Sequence, residues 1–412
     1  MTLAHRRTWR SAAAVAAVLA GTLAVAACGS SRPAGPPAVG GPARLSGPTL
    51  ATSLAGTDGT SWAVVQMGGS ASAFNNFWEL FARPADGTGW KLVTPAGVAS
   101  NGGLVMTQSR PGALVTGFRP SQDLTFSPLA ASADAGAEWS QQPPLSPGLA
   151  NVPGALAGST AGRLLALTDA GDVDAGTGVG AAWTRLTTLR TLASSPTGRA
   201  CGLTALTAVS WTPAGAPLVA GDCSKPGAAG IFTLSSGTWR ATGPSLAGPA
   251  ARTGADVIGL ATTDGQTTAV LAVGSGATAA VLTAWSADGG ARWTLSPTLP
   301  ARPLAAGATP SVSFLADGST GLVLTATAGS PAASRAYLIG WQAGRWDTLP
   351  PLPASSSGES GGGELATLAA APGGGPQALV VDHGALTVWQ LGSGRWALLQ
   401  TVRVSLPYGS SS

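Results

Sequence analysis

Short apolar runs separated by small, polar turns fill most of the chain. In one representative stretch the apolar runs occupy residues 255–263, 267–275, 279–287 and 292–296. The dipeptide Asp264-Gly265 separates the first two runs, and Asp-Gly between β-prone segments is a strong hairpin signal. The pattern therefore predicts four consecutive antiparallel strands in this stretch.

Tryptophans repeat at a spacing that matches this four-strand unit. Seven of them follow a turn of small residues and begin a short strand: Trp90, Trp139, Trp183, Trp239, Trp293, Trp346 and Trp396. Consecutive members lie 44 to 56 residues apart, which is typical of a repeat architecture. Sheets arranged radially cover each other's faces and leave few edges exposed. The sequence predicts an all-β, seven-bladed β-propeller of four-stranded antiparallel blades over residues 49–405, with two stacked β-sandwiches as the alternative.

One eight-residue phrase occurs twice, and it carries a resemblance to a known family. Both copies fit the pattern Ser-x-Asp-x-Gly-x-x-Trp, and their members are Ser132, Asp134, Gly136 and Trp139, then Ser286, Asp288, Gly290 and Trp293. The pattern resembles the Asp-box, or BNR repeat, of sialidase-like propellers. The resemblance implies a structural turn in which Ser and Asp bond to their own backbone, glycine permits a positive φ and tryptophan packs into the sheet. The other five units depart from the pattern.

The N-terminus has the three-part layout of an export signal. Arg6, Arg7 and Arg10 precede an apolar stretch over residues 11–27, and Cys28 follows directly. The apolar stretch is short and rich in alanine for a membrane span, which needs about 20 strongly apolar residues. An ordinary secretory signal or an uncleaved anchor is the alternative.

The last four residues of that layout, Val25-Ala26-Ala27-Cys28, resemble the lipobox of bacterial lipoproteins. The resemblance implies that residues 1–27 are a cleaved signal peptide and that Cys28 carries the lipid, a diacylglycerol with acyl chains such as palmitate. Two or more acyl chains hold a soluble domain firmly on a membrane. The sequence thus predicts a lipid-anchored protein on the extracytoplasmic face of the cell membrane.

Two segments have compositions that cannot bury a core. Residues 28–48 are mostly Gly, Pro, Ser and Ala and predict a flexible tether, and residues 406–412 predict a disordered tail. Glycine and proline are frequent throughout, at 59 and 31 residues, and only 10% of residues are charged. Long amphipathic helices are therefore not expected.

The basic charge of the whole chain does not indicate a nucleic-acid partner. Removing the three arginines of the signal from the 22 basic residues leaves 19 against 18 acidic residues, so the mature chain is close to neutral. Scattered single arginines lack the basic stripe that nucleic-acid binding needs. We expect a monomer that binds an envelope protein or a glycan.

Two cysteines remain after the lipobox. Cys201 and Cys223 flank the open end of one predicted hairpin, and export places them in an oxidising compartment. The spacing predicts a disulfide. No further cysteine or nearby histidine would complete a metal site with them.

Candidate catalytic residues are few, and the sequence predicts none with a defined role. The sialidase resemblance implies three arginines, a tyrosine with a glutamate, and an aspartate, yet the tyrosines are only Tyr337 and Tyr408. The acidic loop with Asp169, Asp172 and Asp174 leaves Ca²⁺ binding open. No cofactor is expected. A binding or scaffolding module is the leading hypothesis, and a degenerate sialidase-like glycoside hydrolase working in the propeller channel is the alternative.

Overall fold

The computed structural model places the middle of the chain in detail. The described residues are 52–67, 77–95, 104–118, 129–140, 153–178, 180–263, 265–274, 279–300, 310–324, 335–341, 343–352, 364–371, 375–382 and 384–404. The predicted signal peptide, Cys28, the tether and the C-terminal tail lie outside them. Within these ranges, no helix is long and apolar enough to cross a membrane.

Antiparallel strands dominate the described residues and follow one another in chain order. The first group is β1 (Thr52–Ala55), β2 (Ser61–Met67), β3 (Phe77–Arg83) and β4 (Lys91–Leu92). The second group is β5 (Leu104–Arg110), β6 (Ala113–Phe118) and β7 (Leu129–Ser132). The third group is β8 (Pro153–Gly158), β9 (Leu164–Thr168), β10 (Asp172–Gly176) and β11 (Trp183–Thr188). Within each group, strands that are neighbours in sequence are paired.

Four more groups of strands complete the described chain. The fourth is β12 (Leu203–Trp211), β13 (Pro217–Cys223), β14 (Gly230–Ser235) and β15 (Thr238–Ala241). The fifth is β16 (Ala255–Thr263), β17 (Gln266–Val273), β18 (Ala280–Ser286), β19 (Thr294–Leu295) and β20 (Leu299–Pro300). The sixth is β21 (Pro310–Phe314), β22 (Thr320–Leu324), β23 (Arg335–Ile339) and β24 (Asp347–Thr348). The seventh is β25 (Glu364–Ala370), β26 (Pro376–Asp382), β27 (Ala385–Gly392) and β28 (Arg395–Arg403).

Each group is buried on both faces, as β2 illustrates. Trp62 and Val64 face the second group, whereas Ala63 and Val65 face the seventh, because successive side chains of a strand point to opposite faces. Among the described residues, seven buried apolar clusters follow this rule, and each is shared by two groups. Six clusters join consecutive groups, and the seventh joins the last group to the first. The packing therefore returns to its starting point.

Hydrogen bonds reinforce the contact between the first and seventh groups. The indole Nε1 of Trp90 donates to Oε1 of Gln377 at 2.9 Å. The backbone N–H and C=O of Trp90 bind the side-chain amide of Gln400, both at 2.8 Å. The buried guanidinium of Arg83 donates to the backbone oxygen of Ala370 at 2.9 Å. Residues separated by almost the whole described chain are thus joined through polar as well as apolar contacts.

The sheets are not all separate, contrary to the expectation of isolated four-stranded blades. Strand β1 pairs in parallel with β21, and Ser53 lies opposite Ser313. The first and sixth groups consequently form one eight-stranded sheet. Strand β25 packs against the two central strands of this sheet, β1 and β21. A single pair, Cys223 opposite Ala255, likewise joins the fourth and fifth groups into one nine-stranded sheet. The second group contains three described strands.

Small hydroxyl residues allow the close approach of β1, β21 and β25. The hydroxyl of Thr367 lies 2.9 Å from the hydroxyls of both Ser311 and Ser313. The hydroxyl of Ser53 donates to the backbone oxygen of Leu368. These side chains are buried, and each bond offsets the cost of removing a hydroxyl group from water.

Two short α-helices and a 3-10 helix, all absent from the sequence prediction, interrupt the strands. Helix α1 (Leu189–Ser194) and helix α2 (Pro196–Cys201) connect the third and fourth groups, and the 3-10 helix spans Gly248–Arg252. Thr188 and Ser195 cap α1 and α2, since their hydroxyls accept backbone N–H bonds at 3.1 Å. Each α-helix is shorter than two turns, so no hydrophobic periodicity could reveal it.

The two cysteines of the fourth repeat unit come together at the end of α2. The sulfur atoms of Cys201 and Cys223 lie at disulfide distance, 2.17 Å, and their Cα atoms are 5.2 Å apart. Leu203 pairs with Cys223, so the bridge lies at the open end of the β12–β13 hairpin. The bridge joins the helical connection to the second strand of its group.

We expect the double substitution Cys201→Ala with Cys223→Ala to lower the free energy of unfolding by about 3 kcal/mol, because the bridge limits the entropy of the unfolded chain. Chemical denaturation of the purified full chain, followed by tryptophan fluorescence, measures the change. Dithiothreitol should destabilise the wild type to a similar extent and leave the double variant unaffected. Equal stability of the wild type and the variant would contradict the structural role of the bridge.

Candidate functional site

A cavity of about 340 Å³ opens where the innermost strands of six groups converge. Strands β1, β5, β8, β12, β16 and β21 contribute to its wall, together with the hairpin turns that follow most of them. Among the described residues, none of β25 lines the cavity, in keeping with the pairing of β1 and β21 in front of it. The cavity is therefore a product of the radial packing.

Four of the turns that follow the innermost strands share one geometry. They are residues 56–60, 159–163, 212–216 and 315–319, and in each the first N–H donates to the carbonyl of the fifth residue at 2.6 to 2.9 Å. The fourth residue is always glycine, with φ between 76° and 86°. Glycine is required there because a side chain disfavours this backbone region. Residues of three of these turns, those after β1, β8 and β12, line the cavity.

One glycine sets the spacing of two neighbouring strands. A Cβ atom at Gly158 would lie 2.0 Å from the carbonyl oxygen of Gln108, so β5 and β8 could not approach this closely with any other residue. The N–H of Gly158 donates to the hydroxyl of Thr107 at 2.7 Å. The turns after β5 and β8 are consequently held side by side at the rim.

Hydroxyl groups and two arginines give the cavity its chemical character. Thr107, Ser109, Ser159 and Thr262 are among the lining hydroxyl residues. Arg110 and Arg163 are the charged members of the lining set, and no carboxylate is found among the described residues that line the cavity. Within the described part of the chain, neither arginine forms an ion pair. Guanidinium and hydroxyl groups of this kind can bind polar or negatively charged groups.

Arg163 is held in place from two sides. Its guanidinium carbon lies 4.3 Å from the centre of the Trp211 ring, a cation–π contact. One guanidinium nitrogen donates to the backbone oxygen of Gly215 at 2.8 Å. The ring of Trp211 is fixed in turn, since its Nε1 donates to the carbonyl of Ala157 at 3.2 Å. No local sequence pattern marks Arg163 as a cavity residue, because its stacking partner Trp211 lies in the next repeat unit. Arg110 is likewise not part of a recognisable motif.

Both copies of the repeated phrase fold into the same turn. The hydroxyls of Ser132 and Ser286 donate to Asp134 and Asp288 at 2.7 and 2.9 Å. Each serine hydroxyl also accepts the N–H of the glycine four residues on, at 2.7 and 2.8 Å. None of these residues lines the cavity. The turns belong to the scaffold.

The tryptophans that end the two phrases tie neighbouring groups together. The Nε1 of Trp139 donates to the carbonyl of Val93 at 2.7 Å, and that of Trp293 donates to Thr242 at 2.6 Å. Trp346 and Trp396 make the corresponding bonds to Pro297 and Pro350, at 2.9 and 2.7 Å. In every case the acceptor lies 46 to 51 residues earlier, in the preceding group.

The aspartates of both turns have lowered pKa values. Hydrogen bonds from the side chain and backbone of Arg292 lower the pKa of Asp288 to about 2. The backbone N–H of Glu138, followed by the hydroxyl of Ser132, lowers the pKa of Asp134. Both carboxylates are therefore ionised at neutral pH and act as acceptors within their turns.

The acidic loop considered for Ca²⁺ is engaged by an arginine. Arg185 approaches Asp172 at 2.8 Å and Asp174 at 3.0 Å. In the part of the chain that the structure describes, no three His, Cys, Asp or Glu residues are grouped as a metal site would require. Asp169, Asp172 and Asp174 are not brought together as a cation site.

Two residues of the types that a sialidase-like hydrolase would use, Tyr337 and Glu79, lie away from the cavity. Tyr337 is buried in the cluster between the fifth and sixth groups, and Tyr408 lies outside the described residues. Glu79 is partly buried and accepts a hydrogen bond from the Thr94 hydroxyl, and desolvation raises its pKa. Neither Tyr337 nor Glu79 lines the cavity.

Comparison with known proteins supports the fold and leaves the family open. No family model matches the chain, and no curated protein matches it. Among solved structures, the glycoside hydrolase 74 xyloglucanase from Xanthomonas campestris is similar over 86% of this chain and 55% of that chain, at 14% identity and a TM-score of 0.51. YCF48 from Cyanidioschyzon merolae matches over 82% and 96%, at 15% identity and a TM-score of 0.45.

A fungal lectin described as a six-bladed β-propeller, from Aleuria aurantia, matches over 89% of this chain and 100% of that chain, at 13% identity and a TM-score of 0.41. The observed strand groups, their circuit of packing and the cavity at their centre define an all-β protein of the β-propeller class. The all-β prediction and the propeller class are confirmed. A fold of this kind hosts many functions, so function must be argued from the cavity.

We expect the stability difference between wild type and Asp288→Asn to depend on pH. The pKa of Asp288 is about 2 in the folded chain, against about 4 for an unperturbed aspartate. A carboxyl group whose pKa is lower in the folded chain than in the unfolded chain stabilises the fold at pH values above its unfolded-state pKa. This stabilisation is lost as the pH falls through its folded-state pKa. Urea denaturation of both proteins between pH 6 and pH 2 should show the difference shrinking below about pH 4.

The variant Arg292→Gln provides the control, because it removes the first cause of the lowered pKa while keeping the aspartate. The loss of stability on acidification should then begin at a higher pH than in the wild type. A difference between wild type and Asp288→Asn that stays constant down to pH 2 would contradict this account.

Proposed function

We propose that this chain is a seven-bladed propeller, anchored by a lipid on Cys28 to the extracytoplasmic face of the cell membrane, that binds an envelope protein or glycan in its central cavity. The observation that carries the proposal is the cavity itself, which is lined by apolar strand residues, hydroxyls and two arginines and by no carboxylate among the described residues. An apolar wall with a few polar groups is typical of a binding pocket.

The strand groups support seven blades. Seven antiparallel groups follow each other in the described chain, and seven apolar clusters join them pairwise around the ring. A sheet with two apolar faces needs a neighbour on each side, and a ring supplies both. The repeat of tryptophans every 44 to 56 residues assigns one such unit to each blade.

The cavity favours binding over glycoside hydrolysis. Most glycosidases flank the scissile bond with two carboxyl groups, one acid and one base or nucleophile. The described residues that line the cavity supply neither. The likeness to the xyloglucanase is one of fold and transfers no activity.

The anchor rests on the residues around the first cysteine of the chain. Val25-Ala26-Ala27-Cys28 closes the apolar stretch, and a Gly- and Pro-rich segment separates it from β1. Such a tether leaves a folded domain able to turn toward partners near the membrane. The cavity would then face components of the cell envelope.

The variant Ser109→Trp tests whether the cavity is the binding site. Ser109 lines the cavity and is half-buried, so an indole there should fill the rim and abolish binding. Detergent-purified full chain is applied to an array of envelope saccharides and peptides, and retention is measured. We expect wild type to be retained on one class of ligand and Ser109→Trp to be retained at least about tenfold less, a loss of about 1.4 kcal/mol of binding free energy, because the indole would occupy the space of the ligand.

The matched control is Thr238→Trp, which places the same ring at an exposed position of β15, away from the cavity. This variant should be retained like wild type. An equal loss of retention in Ser109→Trp and Thr238→Trp would contradict the proposal. So would a wild type that is retained on none of the ligands. Release of a product from a retained saccharide would favour the hydrolase instead.

The substitution Cys28→Ala tests the anchor. Without the acyl acceptor, the protein should move from the membrane fraction to the soluble extracytoplasmic fraction, because about 0.8 kcal/mol of membrane affinity is lost per buried methylene group. Fractionation followed by immunodetection measures the distribution, with Ser30→Ala as the control that keeps the cysteine. A Cys28→Ala protein that still pellets with membranes would contradict the lipid anchor.

A further inference from the structure

The described lining of the cavity includes two arginines and no carboxylate. We infer that Arg163, whose guanidinium lies beside the turn after β12, and Arg110, on the same lining, bind an oxyanion, the carboxylate or phosphate group of a small ligand. This inference rests on the proposed function and specifies the chemistry that the cavity would recognise.

Arg163 has the geometry of a prepared anion-binding group. The Trp211 ring supports one face of the guanidinium, and the bond to Gly215 uses one of its five N–H donors. The backbone is fixed as well, because the N–H of Arg163 donates to the Ser159 hydroxyl at 3.1 Å. Little conformational entropy remains to be lost when the other donors bind a planar carboxylate or a phosphate.

Arg110 brings a second cation to the same rim. It ends β5, and the close approach of β5 to Gly158 holds its turn beside the turn that carries Arg163. Asp58 lies in the turn after β1, and its carboxylate already accepts bonds from the N–H and hydroxyl of Thr60. Arg110 and Arg163 thus both belong to the described lining, which contains no carboxylate.

Uncharged polar side chains accompany the two arginines. Gln108 lines the cavity together with Thr107 and Ser109. The cavity therefore offers charge, directed N–H groups and hydroxyls within about 340 Å³, a volume suited to a small ligand.

The local charge, not the charge of the whole chain, would attract the ligand. The chain without its signal arginines is nearly neutral, at 19 basic and 18 acidic residues. Two like charges at a concave rim nonetheless focus a positive potential there. Binding should therefore weaken as salt screens these charges.

The test uses the full chain in detergent and isothermal titration calorimetry with four probes: inorganic phosphate, glucose 6-phosphate, glucuronate and glucose. We expect at least one anionic probe to bind at least about tenfold more tightly than glucose, since hydrogen bonds to charged groups exceed neutral ones by this amount. Its affinity should fall when NaCl is raised from about 50 mM to about 500 mM. A preference for phosphate or for carboxylate identifies the source of the oxyanion.

Four arginine variants, one of them a control, locate the site. Arg163→Gln and Arg110→Gln should each weaken the binding of the anionic probe at least about tenfold. Arg163→Lys keeps the charge but loses the planar fork, so it should also bind more weakly than wild type. Arg240→Gln removes an exposed cation of β15 outside the cavity and should bind like wild type. Unfolding midpoints confirm that the variants are folded.

The outcomes separate this inference from the proposed function. Binding of every anionic probe no tighter than that of glucose overturns the oxyanion site, as does binding that Arg163→Gln and Arg110→Gln leave intact. The absence of binding by all four probes also overturns it. The array experiment with Ser109→Trp decides the proposed function independently, because retention of a neutral ligand there survives the failure of the anionic probes.

Discussion

The structure depends on the need to cover both faces of every sheet. Strand β2 presents Trp62 and Val64 on one side and Ala63 and Val65 on the other, so its sheet must have two neighbours. A linear stack would leave two apolar end faces in water at a cost of roughly 25 cal/mol per Å². Packing the seventh group against the first removes those ends. The indole of Trp90 and the amides of Gln377 and Gln400 close the contact with directed bonds.

Closure of this ring also determines the cavity. The innermost strands meet at the centre, and the pairing of β1 with β21 leaves six of them to form the wall. Because β1, β21 and β25 approach each other through Ser53, Ser313 and Thr367, the centre is polar where it is most crowded. The short turns after the strands then form a rim whose side chains are held by backbone geometry.

The sequence pattern predicted the features that residues close to each other in the chain determine. Turn dipeptides and the tryptophan repeat predicted all-β structure in units of about fifty residues, and the repeated phrase predicted turns in which Ser132 and Ser286 bond to their own backbone. It missed α1 and α2, which are too short to show periodicity. It also missed the pairing of β1 with β21 and the stacking of Arg163 on Trp211, because these contacts join distant parts of the chain.

The distribution of charged groups separates the scaffold from the site. Asp134 and Asp288 have lowered pKa values because their turns bind them, and Glu79 has a raised pKa because it is partly buried away from the cavity. General acid–base catalysis by a carboxyl group needs that group beside the bound substrate, with a pKa suited to the working pH. Here the shifted carboxyls serve the sheets and turns, whereas the charged residues of the described cavity lining are Arg110 and Arg163.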